Sequence, residues 1–202
     1  MPQRDAQKQK TRRQIVAAAA RLIRERGPAA VRVADVMWAT GLTHGGFYAH
    51  FGSREALLAE ALASATAYRE HWLNIAGATN EADWVAGIAR RYLSTTHRRQ
   101  PGAGCPYPEA LAETSRAGGA LRESLQVELR HTFDRMQEGL GDAPNGMSAD
   151  ARARSLLALF VGAMQLARAF DDDAEADAIL DAARAFAAPA TPHATNHAGT
   201  GD

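Results

Sequence analysis

Apolar residues recur along this chain at helical spacing, and the strict alternation of a half-buried strand is nearly absent. Between Thr11 and Arg26, the residues Ile15, Ala18, Ala19, Leu22 and Ile23 fall at i, i+3, i+4, i+7 and i+8, one stripe of a helix. Thr11 is a suitable N-cap, Arg24 and Arg26 suit the C-terminal end of the helix dipole, and Gly27-Pro28 stops the helix. Two short segments follow, Val33–Ala39 and Thr43 to about His50, joined through Thr40-Gly41-Leu42. Ser53, with Glu55 behind it, opens a longer helix running to about Ala76. Beyond Gly77 the pattern predicts helices near 82–97, 107–117, 119–140, 149–170 and 174–188. They are punctuated by Gln100-Pro101-Gly102-Ala103-Gly104, Gly118-Gly119, the GDAPNG stretch from Gly141 and Asp171-Asp172-Asp173. Residues 189–202 are small, polar and proline-bearing, the composition of a frayed tail. The fold class expected is all-α.

One longer helix followed by two short ones around a glycine turn outlines a helix-turn-helix. Val36 and Leu42 are spaced to clamp the short helices, Gly41 can take the left-handed conformation at the reversal, and Phe47 and Phe51 continue the inward side. Thr43, His44, Gly45, Gly46, Tyr48 and His50 are left for the outside. Thr43 and His44 can reach base edges, the two glycines let the backbone approach DNA, and Tyr48, His50 and Arg54 suit phosphate contacts at the rim. Paired glycines in a bland surface helix would cost about 1 kcal/mol each relative to alanine.

Charge sharpens this picture. The net charge is zero, yet residues 1–54 carry ten Lys/Arg against three Asp/Glu, a net +7, and the remainder carries −7. Such asymmetry points to a polyanionic partner for the front of the chain only. With 46% hydrophobic and 23% charged residues over 202 positions, a wholly disordered chain is excluded. The longest apolar run, Leu156 to Met164, is about half the length that spans a bilayer, and the basic N-terminus leads into no signal-peptide core. A cytoplasmic protein without membrane association is expected.

The strings TRRQIVAAAARLIRERG and VADVMWATGLTHGGFYAHFGSREALLAEAL resemble the DNA-binding domain of TetR-family transcriptional regulators. The resemblance covers about 11–62 and rests on Gly41, on Tyr48-Ala49-His50-Phe51 and on Ser53-Arg54-Glu55-Ala56-Leu57. Four positions depart from the family's pattern. Arg32 stands where a capping Thr or Ser is usual, Met37 replaces a small residue, Trp38 is bulky on a helix usually left polar, and Arg54 replaces a lysine.

The resemblance implies a helix-turn-helix domain over 1–52, a helical ligand-binding and dimerisation domain over 53–188 and a flexible tail over 189–202. It implies a homodimeric one-component regulator, a repressor, bound to double-stranded operator DNA and released by a small-molecule inducer, with no cofactor and no metal. Leu156, Leu159, Phe160, Ala163, Ala167 and Phe170 keep one apolar stripe, and Ile179, Ala183 and Phe186 another. In relatives, the last two long helices form the subunit bundle. Within that set Leu156, Phe160, Ala163, Ala167, Ile179, Ala183 and Phe186 are the interface candidates, the alternative being that the stripes face the chain's own core. Candidate pocket residues are Trp72, Trp84, Tyr92, Tyr107, Phe133, Met136 and Met164, which serve equally as plain core.

Cys105 is the sole cysteine, which excludes an internal disulfide and any multi-cysteine zinc site. It stands in PGAGCPYPE at the mouth of a helix, where amide dipoles would favour the thiolate and make it an accessible sensor. The resemblance extends to a subgroup with electrophile- and oxidant-sensing members. The alternative is a buried thiol acting as a small hydrophobe or pocket wall. Glu128-x-x-His131 has half the spacing of a di-iron carboxylate site, but no second copy exists, so surface decoration is expected. A catalytic or metal-binding helical bundle without a DNA-binding role would need converging acid, base or ligand sets that the chain does not supply.

Overall fold

The computed structural model describes residues 2–143 and 146–188. The tail over 189–202 lies outside them. Among the described residues the fold is helical throughout, with no strand.

The first helix, α1 (Pro2–Arg26), is longer than the apolar stripe suggests. It runs through Thr11 because the preceding Gln, Arg, Lys and Ala are good helix formers. Its Ile15, Ala19, Leu22 and Ile23 are almost fully buried and pack chiefly against α3 (Arg54–Thr66). Between them lie α2 (Val33–Ala39) and a 3₁₀ helix (His44–Ala49). Gly41 has φ +69°, the left-handed turn expected of it. The second short segment is 3₁₀ rather than α-helical. Gly45-Gly46 is a poor helix pair, and the segment closes through i→i+3 bonds such as Gly46 N to Thr43 O (3.0 Å) and His50 N to Phe47 O (2.9 Å).

The long helix expected from Ser53 to Ala76 is divided. Ser53 caps α3 by accepting from the Ala56 amide, and α3 ends at Thr66. The Thr66 hydroxyl lies 3.1 and 2.9 Å from the Leu62 and Ala63 carbonyls, competing with the helical ladder. A short α4 (Arg69–Leu73) follows. The segment expected over 82–97 also splits, into α5 (Glu81–Tyr92) and α6 (Thr95–Arg99), with Ser94 capping α6. A 3₁₀ turn (Pro101–Ala103) leads to α7 (Tyr107–Ala117), and the left-handed pair Gly118-Gly119 leads into α8 (Gly119–Gln137). Ser148 caps α9 (Ala149–Arg168), and Asp172 caps α10 (Asp173–Ala187) by accepting from the Ala174 and Glu175 amides. The aspartate run is therefore a turn and helix start, as expected. Helices α8, α9 and α10 pack side by side, and α8 also lies along α3.

Candidate functional site

The front surface is built on two stacked rings. Phe47 and Phe51 are buried with centroids 5.7 Å apart, and the Arg12 guanidinium lies 4.0 Å over the Phe51 ring. Arg12 also donates to the His50 carbonyl and to Glu60, fixing the end of the 3₁₀ helix to α1 and α3. With that side buried, Thr43, His44, Gly45 and Tyr48 face outward, and Tyr48 is 67% exposed. A Cβ on Gly45 would meet nothing within 4 Å, so the fold does not demand glycine there; the bare backbone is free for a ligand. Gly46 is half-buried over Met37, whose Cε lies 3.8 Å from where a Cβ would stand. The large residue at 37 is thus accommodated beneath a small one at 46.

Two rim residues are placed differently from the simplest expectation. His50 is half-buried, with a buried Nδ1 that lacks a partner. Arg54 spans back to the α1–α2 turn: its Nε donates to the Val31 carbonyl (2.9 Å) and Nη2 to those of Pro28 (2.8 Å) and Ala29 (3.0 Å). A guanidinium fork spends those donors on the turn, which a lysine could not do in the same way. Arg32, lacking a capping side chain, pairs instead with Asp35 at 3.1 Å.

Behind this surface lies an aromatic interior. Trp72, Tyr92 and Phe160 are fully buried, with centroid separations of 5.0 Å (Trp72–Tyr92), 5.4 Å (Tyr92–Phe160) and 6.3 Å (Trp72–Phe160). Trp72 Nε1 makes no hydrogen bond, whereas the Tyr92 hydroxyl interacts with the Cys105 thiol. Tyr107 is satisfied by the Glu128 carbonyl and Thr132 hydroxyl, and Met136 and Met164 are fully buried. The other two candidates stand apart. Trp84 is half-buried on a separate recess of about 300 Å³ with Leu73, Ile75 and Arg135, and Phe133 lies under the Arg154 guanidinium.

Cys105 contradicts the expectation of an accessible, acidified thiol. It is 2% exposed, and burial pushes its pKa up to about 11. The dipole at the start of α7 cannot offset the loss of solvation. The residue that organises this loop is His97, which the sequence reading missed. Its Nδ1–H donates to the Tyr92 carbonyl (2.7 Å), and its Nε2 accepts the Cys105 amide (2.9 Å). The ring is therefore neutral, and burial lowers its pKa to about 4. A Cβ on Gly104 would stand 2.3 Å from the ring, so the glycine in PGAGC makes room for His97. That glycine was the available signal.

Glu128 is likewise not surface decoration. It is 7% exposed, and its Oε2 lies 2.6 Å from Arg69 Nη1 and 2.7 Å from the Thr66 hydroxyl, tying α8 to the α3–α4 junction. No metal-binding cluster occurs among the described residues.

The interface candidates divide between two faces. Phe160, Ala163, Ala167 and Ala183 are buried within the chain itself, Leu156 and Ile179 are half-buried, and Phe186 is 80% exposed. Phe160 thus belongs to the interior with Trp72 and Tyr92. Leu156 and Leu159 are half-buried against the core, whereas Leu166 near the end of α9 and Phe170 just beyond it keep 59% and 43% exposure.

Two family models match the chain. That for bacterial regulatory proteins of the tetR family covers residues 15–61, and that for the tetracyclin repressor-like C-terminal domain covers 83–183. The chain belongs to the TetR family. It is accordingly a DNA-binding transcriptional regulator with an N-terminal helix-turn-helix and a ligand-responsive C-terminal domain, and such regulators are generally not enzymes. No curated protein sequence matches it. Among solved structures, a TetR transcriptional regulator from Chloroflexus aurantiacus is 25% identical, with a TM-score of 0.74 over 90% of this chain and 96% of that one. The reduced form of NemR from E. coli is 22% identical, with the same TM-score over 90% and 100%. AibR, solved with isovaleryl coenzyme A and operator DNA, is 17% identical, with a TM-score of 0.63 over 89% and 98%. These three share the TetR fold. No helix among the described residues is long and apolar enough to cross a membrane.

Proposed function

We propose that this TetR-family chain is a cytoplasmic, homodimeric repressor whose residues 1–52 read the operator and whose residues 53–188 bind an inducer and form the dimer. The observation that carries this is the outward face of Thr43, His44, Gly45 and Tyr48, held over buried Phe47 and Phe51 within the first 54 residues, which carry a net +7. Thr43 and His44 reach base edges, Gly45 and Gly46 admit the sugar–phosphate backbone, and Tyr48 and His50 contact phosphate. Arg54 acts chiefly by fixing the turn on which α2 starts. AibR was solved in complex with isovaleryl coenzyme A and operator DNA, and the shared fold supports the same division of labour here.

The inducer site is the interior around Trp72, Tyr92, Tyr107, Met136 and Met164. There Trp72 Nε1 is a buried donor without a partner, and a ligand acceptor would satisfy it. Cys105 is a wall of that interior, and the inducer binds without covalent chemistry. Subunits meet through α9, α10 and the turn between them, where Leu166, Phe170 and Phe186 are exposed apolar side chains.

The test is selection of duplexes from a random-sequence pool, followed by affinity measurements. The wild type should enrich a palindromic site, and His44→Ala should lose preference at one base pair per half-site, about 1–3 kcal/mol. Equal affinity for enriched and random duplexes at moderate salt would overturn the reading.

A further inference from the structure

The α2 helix carries an apolar side chain for which the fold has no use. Trp38 is 86% exposed, the most exposed of the large apolar side chains among the described residues. The core takes Val36 and Met37 fully and Val33 in part from this helix, which packs on α1 and on the 3₁₀ helix. Ala34, one helical turn before Trp38, is exposed on the same side and too small to shield the indole. No ring contact engages Trp38 among the described residues.

Its position is tied to the reading element. The Trp38 carbonyl accepts the amide of Gly41 at 3.0 Å, and the Met37 carbonyl accepts that of Leu42 at 2.9 Å. Trp38 therefore belongs to the last turn of α2, whose carbonyls anchor the turn that leads to Thr43 and His44. In a helix-turn-helix the first helix crosses the DNA backbone while the second enters the major groove. Charge makes the same choice of partner: the first 54 residues carry a net +7, most of it on α1 against which α2 packs, and this suits a polyanion rather than another copy of the same surface.

We propose that Trp38 is a DNA-contacting residue, its indole packing edge-on against the deoxyribose and thymine-methyl surface of the operator half-site beside the bases read by Thr43 and His44. The inference rests on the DNA-binding reading above and adds an apolar contact to it. An uncharged indole releases no counterions, so the contact strengthens binding without steepening its salt dependence. It also favours duplexes that place a thymine methyl under the ring.

The probe is a duplex enriched from a random-sequence pool by the wild-type full chain. Trp38→Ala should fold with unchanged Tm, because the side chain is exposed, and should bind that duplex about tenfold more weakly. Trp38→Phe should recover most of the loss, and the slope of log K against log salt should stay at the wild-type value in both variants. Trp72 is buried and Trp84 half-buried, so acrylamide quenching reports mainly on Trp38 and should fall sharply on addition of the duplex. Binding by Trp38→Ala within twofold of wild type would overturn the proposal, as would unchanged quenching in the complex. So would a change in self-association of the DNA-free protein as the main effect of Trp38→Ala, which would make the indole a protein contact. A wild type that enriches no duplex would overturn both readings, whereas a wild type that enriches one and tolerates Trp38→Ala would overturn this one alone.

Discussion

Thiol–disulfide exchange with DTNB at pH 7 separates a sensing thiolate from a buried wall at Cys105. A free cysteine of pKa about 8.5 is roughly 3% thiolate at that pH. With its pKa pushed up to about 11, Cys105 is ionised in about one molecule in ten thousand, roughly 300-fold less than the free thiol. The more basic thiolate is intrinsically more nucleophilic, by about tenfold over this interval for a Brønsted coefficient near 0.45. Ionisation alone therefore slows the reaction by about 20- to 30-fold. Access slows it further, because at 2% exposure the sulfur meets reagent only when the Cys105 loop opens and both His97 hydrogen bonds are strained. The assay is the rate of thionitrobenzoate release by native protein beside N-acetylcysteine, repeated in denaturant, where the two rates should converge. A native rate equal to or above that of the free thiol would refute the burial argument and restore Cys105 as a reactive site.

His97 should make the fold acid-sensitive. Its pKa of about 4 lies below the unfolded value of about 6.5, so the unfolded chain binds the extra proton between these limits. The His97 contribution is complete above pH 6.5 and is lost as pH falls toward 4, up to about 3 kcal/mol. Urea midpoints measured across that range should show the loss in wild type and a flatter profile in His97→Gln. Two phenylalanines should behave oppositely when replaced by glutamate. Phe160→Glu places an unpaired charge between Trp72 and Tyr92 and should unfold the chain at a cost of several kcal/mol, whereas Phe186→Glu should keep its helicity but become monomeric. Circular dichroism melts with light scattering check both, and a folded dimeric Phe160→Glu would contradict the placement of that ring.

Most of the fold was legible because its helices are bounded by local chemistry. Gly41, Ser53, Ser148 and Asp172 act through their own backbone or the next turn, which a one-dimensional pattern contains. Errors arose where a distant group decided the outcome. The break at Thr66 and the burial of Glu128 are one event, since hydroxyl, carboxylate and Arg69 meet across 62 and 59 residues of sequence. Cys105 stayed open between an accessible sensor and a buried wall for the same reason: the helix start is visible locally, but the packing of His97, Tyr92 and Tyr107 around the thiol, which decides for the buried wall, is not. On α9 the periodicity located the apolar residues correctly but could not assign them to faces. Apolar positions surround much of that helix, and only the neighbours of Phe160 and the bareness of Leu166 and Phe170 separate inside from outside.

The same kind of long-range tie joins the helix-turn-helix to the helical domain behind it. The turn 27–31, where α1 ends and α2 begins, is held from both sides. Arg54 of α3 grips its carbonyls, while the Glu113 carboxylate of α7 accepts the Ala29 amide at 2.8 Å. One turn earlier, Arg24 Nε donates to the Gly102 carbonyl at 2.8 Å, on the loop that His97 and Cys105 close. The α7 helix starts at Tyr107, in the interior proposed above for the inducer, and its Glu113 reaches the turn that precedes α2, so on that proposal it links the two sites. A rigid helix fixed at both ends cannot shift at one without straining the other, and the strain falls on a few hydrogen bonds of about 1 kcal/mol each. Coupling of that size suits a regulator: strong enough to alter operator affinity by the 5- to 150-fold typical of allosteric proteins, and weak enough for a small ligand to reverse it.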